Sequence, residues 1–265
     1  MKRCLAVRRL RGWWVAAMAC TAMCGTAAPT LPDEPHTRRS GAEFMSPTLQ
    51  ALQRDDTQNP AQLWVREGEA LWSRVAGNGR SCAGCHTGSA WHDAAVRYPA
   101  FDGAARRPLT LTARIEQCRQ QHLELPLQGP DGVEVLALSA WLAQRARGLP
   151  IAPPDDPRLR PWQQRGEQLW KQRFGQLDLA CSHCHDQRAG ARLGGAPIPQ
   201  AHVTGYPVYR LEWQTMGSLQ RRLRGCLSGV RAEPFAAEAD EWLALEAWLM
   251  RRSAGMTSEG VGLRP

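Results

Sequence analysis

Beyond its first 27 residues, the sequence has no long apolar run, since no later segment approaches the roughly 20 uninterrupted apolar residues that a transmembrane helix requires. It also lacks a strong excess of charge. Five positive residues lie in the acid-free leader, and subtracting them from the net charge of +8 leaves +3, which is too little to indicate a nucleic-acid-binding protein. The apolar content of 43% excludes an intrinsically disordered chain.

The leader has the organisation of an export signal. A basic stretch over residues 1–11 precedes a short apolar run over residues 13–19, and small residues up to Ala27 form a cleavage site. We therefore predict that the chain is exported. Two alternatives remain at this point, a lone membrane anchor and lipidation at Cys20 or Cys24.

Six of the nine cysteines lie outside the leader, and four of these six belong to two C-x-x-C-H motifs. The motifs are Cys82-Ala83-Gly84-Cys85-His86 and Cys181-Ser182-His183-Cys184-His185. In the attachment signature for c-type haem, two thiols add to the porphyrin vinyl groups and the adjacent histidine becomes the proximal iron ligand. A single motif could be half of a zinc site. Two motifs behind an export signal predict two covalently bound haem c groups.

Sequence blocks around the two motifs repeat in the same order, which indicates an internal duplication. The pairs are Gly68–Trp72 with Gly166–Trp170, Tyr98-Pro99 with Tyr206-Pro207, Leu111–Cys118 with Leu219–Cys226, and Ala137–Leu142 with Ala244–Leu249. The spacing between copies grows from 99 residues at the motif histidines to 108 at Cys118 and Cys226, so the second copy has an insertion of about nine residues, which we place in a loop over residues 190–205. The pattern predicts a mostly α fold of two tandem cytochrome c-like domains.

The repeat and the proline cluster at its centre also predict the domain boundaries. The predicted segments are a signal peptide (1–27), an N-terminal extension (28–55), domain 1 with haem 1 (56–150), a linker (151–158), domain 2 with haem 2 (159–255) and a C-terminal tail (256–265).

The two remaining cysteines, Cys118 and Cys226, occupy matched positions, one in each copy. A methionine is the usual second axial ligand of an electron-transfer cytochrome c, yet the first copy has none between its haem motif and the linker. Other candidate ligands are not matched between the copies. They are His92, His122, His183, Met216 and Met250. Two readings stay open: a thiolate ligand for each haem, or an interdomain disulfide between the two cysteines.

Arginines surround the second of these cysteines. They are Arg221, Arg222, Arg224 and Arg231. Arg222 lies one helical turn before Cys226, where it can hold an anion and lower the pKa of the thiol. Arg114 has the same spacing to Cys118. For Arg221 and Arg224, a solvated basic face is an equally good explanation.

Two C-x-x-C-H motifs, a further cysteine after each and the run from Arg222 to Glu233 resemble the SoxA family, dihaem cytochrome c subunits of the SoxAX complex of sulfur oxidation. The resemblance covers the whole mature chain. It implies a periplasmic enzyme, an L-cysteine S-thiosulfotransferase without stable membrane association, that joins thiosulfate oxidatively to a cysteine of the SoxY subunit of SoxYZ. A SoxX-type cytochrome c would complete a heterodimer.

The resemblance also assigns roles to residues. Cys226 would be both an iron ligand and the active-site sulfur, modified as a persulfide, Arg222 would bind the substrate, and Cys118 would be the thiolate ligand of the other haem. Two rival functions remain. One is a dihaem electron carrier without its own substrate, and the other is a dihaem peroxidase, which the duplicated motif alone would support.

Overall fold

In the computed structural model, which describes residues 37–265, four helices of the first half have equivalents in the second half. The predicted signal peptide (1–27) and the first part of the predicted N-terminal extension lie outside the described residues. The first half has α1 (Pro47–Arg54), α2 (Ala61–Ser73), α3 (Cys82–Cys85), α4 (Ala94–Arg97), α5 (Leu111–Leu123) and α6 (Val133–Arg145). The second half has α7 (Arg160–Lys171), α8 (Cys181–His185), α9 (Leu219–Gly229) and α10 (Asp240–Arg252). The predicted, mostly α class is confirmed.

The helices that carry the two matched cysteines outside the motifs, Cys118 and Cys226, begin in the same way. The Thr110 hydroxyl accepts a hydrogen bond from the Ala113 amide at 3.1 Å at the start of α5, and the Ser218 hydroxyl accepts one from the Arg221 amide at 3.0 Å at the start of α9. Each hydroxyl satisfies an amide that has no partner within the helix. The equivalent caps place Cys118 and Cys226 at the same depth along their helices.

A glycine in each half allows two helices to pack closely. A Cβ atom at Gly68 in α2 would lie 2.0 Å from the Ala137 carbonyl oxygen in α6, and one at Gly166 in α7 would lie 2.1 Å from the Ala244 carbonyl oxygen in α10. Only a residue without a side chain fits at these crossings. The repeated glycine before each haem motif is therefore a packing residue.

Short β-hairpins, which were not predicted from the sequence, precede α5 and α9. In the first half β1 (Ala100–Asp102) pairs with β2 (Arg107–Leu109), and in the second half β5 (Val208–Arg210) pairs with β6 (Thr215–Gly217). The registers correspond residue for residue, since Asp102 faces Arg107 and Arg210 faces Thr215. The duplication thus extends through the hairpins.

Three further strands belong to the second half and the C-terminus. The insertion that we predicted as a loop contains a two-stranded hairpin of β3 (Arg192–Leu193) and β4 (Ala196–Pro197). β7 (Gly262–Arg264), within the predicted C-terminal tail, adds to β5 in parallel. The Gln53 side chain of α1 accepts a hydrogen bond from the Leu263 amide at 2.8 Å, so the two ends of the described chain are joined.

Each of the paired hairpins packs against a helix of the other half. β2 contacts α10, and β6 contacts α2. An ion pair of 3.5 Å between Arg107 and Asp240 lies at the first of these contacts. This reciprocal packing makes residues 38–265 one compact unit. The predicted domain boundaries stay a prediction.

A cavity of about 520 Å³ lies between the two halves. Its wall includes matched residues of α6 and α10, namely Leu136 with Leu243 and Ser139 with Glu246. Burial raises the pKa of the Glu246 carboxyl to about 7. Among the helices of residues 37–265, none is long and apolar enough to cross a membrane.

Candidate functional site

Each C-x-x-C-H motif forms a short helix that follows a tryptophan-bearing helix. The His86 ring stacks on Trp72 with 5.2 Å between ring centroids, and the His185 ring lies 5.6 Å from Trp170. Both tryptophans come from the repeated block before the motifs and are buried. The repeat therefore places each predicted proximal histidine against an apolar wall.

In the second half, the two predicted axial ligands converge. The Nδ1 atom of His185 donates a hydrogen bond to the Pro199 carbonyl oxygen at 2.6 Å, which leaves Nε2 free for another partner. The Cys226 thiol lies within hydrogen-bonding reach of the same imidazole. Cys181 lies beside this pair, since burial and the proximity of Cys226 and Cys184 raise the pKa of its thiol to about 12.

In the first half, Cys118 lies close to the thiols of the C-x-x-C-H motif. Burial and the proximity of Cys118 and Cys85 raise the pKa of the Cys82 thiol to about 11. Burial likewise raises the pKa of Cys118, and the charge of Arg114 opposes this shift. The helix α5 thus brings the predicted ligand to the motif of its own half.

The alternative of an interdomain disulfide is wrong for this structure. Cys118 and Cys226 are both free thiols, as are the four cysteines of the motifs. The packing also disfavours Met216, a methionine without an equivalent in the first copy, as an iron ligand in the second half. Met216 is fully buried in the core cluster that contains Trp72 and Trp141 of the first half.

The residues of both motifs fit haem c. Each offers two unbonded thiols and a neighbouring imidazole, which is the donor set for covalent haem attachment with proximal ligation. Thiolate sulfur is a suitable second axial ligand for iron. Cys82, Cys85 and His86 would hold one group, and Cys181, Cys184 and His185 the other.

The surroundings of Cys226 favour the thiolate form of its side chain. Burial raises the pKa of its thiol, but the hydrogen bond with His185 and the charges of Arg222 and Arg210 outweigh burial, so that the pKa lies below its ordinary value. Arg222 therefore lies close enough to Cys226 to act on its thiol, as predicted. Arg222 also lies near the buried Tyr206 hydroxyl, where its charge opposes the rise in pKa that burial causes.

The other predicted arginines have different surroundings. Arg224 forms an ion pair with Asp131 of the first half. The Arg221 guanidinium lies 4.4 Å from the centre of the Trp213 ring and donates to the Met216 carbonyl oxygen. Arg231 follows α9 in a left-handed turn, with φ of 57°. None of these three is among the charges that lower the pKa of Cys226.

Arg210 is a residue of the site that was missed in the sequence. It ends β5, its side chain is 12% exposed, and its Nε atom is buried without a hydrogen-bond partner among the described residues. Its guanidinium also pairs with Glu212 at 2.7 Å. The matched residue of the first half is Asp102, so the copies differ in the sign of this charge. That reversal was the signal available in the sequence.

Comparison with known proteins places these features in a family. The family model described as SoxA/TsdA, cytochrome c domain, matches the chain twice, over residues 67–151 and 165–258. The two matched segments correspond to the two halves described above.

Individual relatives agree with this match. The L-cysteine S-thiosulfotransferase subunit SoxA of Rhodovulum sulfidophilum is 32% identical over 246 residues, which cover 90% of this chain and 85% of the relative. The protein of the same name from Allochromatium vinosum is 34% identical, with 77% of this chain and 74% of the relative covered. The crystal structure of SoxXA from P. pantotrophus superposes with a TM-score of 0.81 at 29% identity, covering 86% of this chain and 87% of that one.

Proposed function

Because the chain belongs to the SoxA/TsdA cytochrome c family, and within it to SoxA, we propose that it is the haem-binding subunit of an L-cysteine S-thiosulfotransferase. It oxidatively joins thiosulfate to a cysteine of the carrier protein SoxYZ. The second half contains the active site, and the first half has a haem site without the same substrate pocket.

One observation carries this assignment: Cys226 is flanked by two arginines, whereas Cys118 is not. Arg222 and Arg210 both lower the pKa of the Cys226 thiol. At Cys118 only Arg114 acts in this way, and Asp102 lies within the electrostatic reach of that arginine. A small dianion such as thiosulfate would be held by charge-assisted hydrogen bonds in the second half only.

The arginines orient the substrate for the chemistry. Arg222 and the unpartnered Nε of Arg210 would bind the oxygen atoms of thiosulfate, leaving its outer sulfur directed towards Cys226. The Cys226 sulfur acts as the active-site sulfur and can carry a transferred sulfur atom as a persulfide. Together with His185, it would also hold the iron of a bound haem c.

The overall reaction releases electrons. The carrier thiol and thiosulfate form one sulfur–sulfur bond, giving a cysteine S-thiosulfonate, one proton and two electrons. Haem c, when bound, takes up electrons one at a time. We propose two haem c groups, one in each half. In the first half, His86 and Cys118 would hold the iron.

The similarity to the crystal structure of SoxXA supports a partner for this chain. We propose that a SoxX-type cytochrome c is the second subunit here and receives the electrons. The predicted export signal of residues 1–27 supports a periplasmic location. The domain division at residues 56–150 and 159–255 is part of the same proposal.

The experiment that tests the function compares Cys226→Ala with Cys118→Ala in the dihaem protein bound to its partner subunit. Without the active-site sulfur, we expect thiosulfate conjugation to fall by at least about 1,000-fold in Cys226→Ala, as when a covalent catalyst is removed. The matched Cys118→Ala variant should keep most of the activity. Mass spectrometry of the carrier protein measures the conjugate.

A dihaem electron carrier predicts a different result. In that case Cys226→Ala would conjugate thiosulfate as fast as the wild type, provided that both haems are attached. Haem content by the pyridine haemochrome spectrum supplies this control. Peroxide turnover without thiosulfate activity would instead favour the peroxidase alternative.

A further inference from the structure

The helix with the proposed active-site residues is held by a side chain from the other half. Asp131 lies in the segment between α5 and α6, two residues before the start of α6. Its Oδ1 atom accepts a hydrogen bond from the Ser218 amide at 3.1 Å, and its Oδ2 atom pairs with the Arg224 guanidinium. One carboxylate therefore contacts α9 both at its N-cap residue and in its second turn.

The contact is placed where it limits the motion of α9. Ser218 is 4% exposed, and the Asp131 and Arg224 side chains are 26% and 33% exposed. A carboxylate at a helix N-terminus also interacts favourably with the helix dipole. Two contacts about one and a half turns apart fix both the rotation of α9 and its position along its axis.

Among the described residues, the second half makes no equivalent contact with α5 of the first half. By the repeat, Glu238 corresponds to Asp131 and Glu116 corresponds to Arg224, so the equivalent pair would be two acids. Glu116 instead accepts a hydrogen bond from the Gln128 amide at 2.9 Å within its own half. Within residues 37–265, Glu238 forms no ion pair with α5. The contact across the halves is therefore specific to the helix of Cys226.

The ion pair lies on a different face of α9 from Cys226. Residues two apart on a helix point to different faces, so Arg224 is directed away from Cys226 and towards Asp131 of the first half. Arg222, one turn before Cys226, lies on the same face as the thiol. The contact with the first half therefore holds α9 from the side opposite the proposed site.

We propose that Asp131 is a positioning residue for the reaction: the first half holds α9 through Asp131 so that Cys226 faces His185 and Arg222 lies beside Cys226. The inference rests on the proposed function for its catalytic consequence. It gives the first half a role in catalysis that is separate from any electron transfer through its own haem.

The test uses Asp131→Asn and Arg224→Gln in the dihaem protein with its partner subunit. We expect each variant to lower kcat/KM for thiosulfate by about 10- to 100-fold, since small displacements of reacting groups have effects of this size. The double variant should lose no more activity than either single variant, because both substitutions break the same ion pair between Asp131 and Arg224. Glu238→Gln is the matched control and should behave as the wild type.

Low-temperature electron paramagnetic resonance provides a readout independent of activity. Asp131→Asn should change the g-values of the low-spin haem that Cys226→Ala identifies as that of the second half, and leave the other haem signal unchanged. This signal also separates the two proposals, because it reports the position of Cys226 even if the wild type conjugates no thiosulfate. Unchanged g-values and kcat/KM in both single variants would overturn the positioning role. A lower urea midpoint with unchanged g-values and unchanged kcat/KM would also overturn it, because the contact would then affect stability alone.

Discussion

At the scale of single residues, the two halves differ most informatively at one hairpin position. Arg210 and Asp102 end equivalent strands, β5 and β1, and face equivalent partners. Asp102 accepts hydrogen bonds from the amides of Ala104 and Ala105, which hold its pKa below the ordinary value. Arg210 has a buried Nε atom without a partner among the described residues. The first residue completes a turn, and the second leaves a donor available to a ligand.

Arg210→Gln should therefore impair substrate binding. A charge-assisted hydrogen bond contributes about 1.5–3 kcal/mol. We expect kcat/KM for thiosulfate to fall by about 10- to 100-fold, mainly through KM. Steady-state conjugation assays over a range of thiosulfate concentrations measure the effect.

Asp102→Asn is the matched control at the equivalent position and should leave both constants within about twofold of the wild type. Equal losses in the two variants would mean that the hairpins, rather than the charge of Arg210, matter for activity.

Arg222 was found from the sequence and Arg210 was missed, for a physical reason. Arg222 and Cys226 are four residues apart on one helix, so the helical period alone places them together. Arg210 reaches the site from a three-residue strand, which is too short for an alternating pattern to be recognised. The charge reversal at position 102 could have revealed it.

At the scale of secondary-structure elements, the helix pairs depend on one glycine each. At Gly166, an added Cβ would lie 2.1 Å from the Ala244 carbonyl oxygen and 2.6 Å from the Cβ of Trp248. Trp248 in turn packs on Trp170, with 4.8 Å between ring centroids. The spacing of α7 and α10 therefore supports the tryptophan wall beside His185.

Gly166→Ala should destabilise the protein. Overpacking costs about 1–3 kcal/mol even when neighbours shift, and the better helix propensity of alanine offsets at most about 1 kcal/mol. We expect a lower urea midpoint at an unchanged m-value. Gly68→Ala should act in the same direction.

Gly225→Ala provides the comparison, because a Cβ at Gly225 in α9 would meet nothing within 4 Å. This variant should be as stable as the wild type or slightly more stable. If Gly166→Ala is equally stable, the close approach of α7 and α10 does not require a glycine.

Most helices followed from the sequence, whereas the strands did not. The repeated sequence blocks predicted the helices that carry the site, and the structure adds their capping residues, Thr110 and Ser218. The hairpins have strands of two or three residues, and their partners are set by tertiary packing. The sequence pattern identifies an apolar face of a helix, but it does not specify which half of the chain covers that face.

At the scale of the whole molecule, the cavity between the halves contains a carboxyl group without a charged partner. Glu246 forms no ion pair among the described residues, and burial raises the pKa of its carboxyl to about 7. The matched residue of the other half is Ser139, whose hydroxyl stays neutral. Of this matched pair, only the residue of the second half titrates.

This carboxyl should make stability depend on pH. Between the unfolded pKa of about 4.5 and the folded pKa of about 7, the folded state binds more protons, so stability decreases as pH rises. Glu246→Gln should match the wild type at pH 4.5 and be more stable by up to about 3 kcal/mol above pH 7. Urea denaturation at several pH values measures the difference. A constant difference across this range would contradict the prediction.

The hairpins that cross between the halves have a consequence for how the two proposed haem sites can differ. β2 packs on α10 and β6 packs on α2, which are not equivalent helices, so these contacts do not follow an exact two-fold axis. In a homodimer, a substitution enters both subunits at once. In a single chain that contains both copies, each copy changes alone, as Arg210 and Asp102 illustrate. Duplication within one chain therefore allows the two sites to have different surroundings.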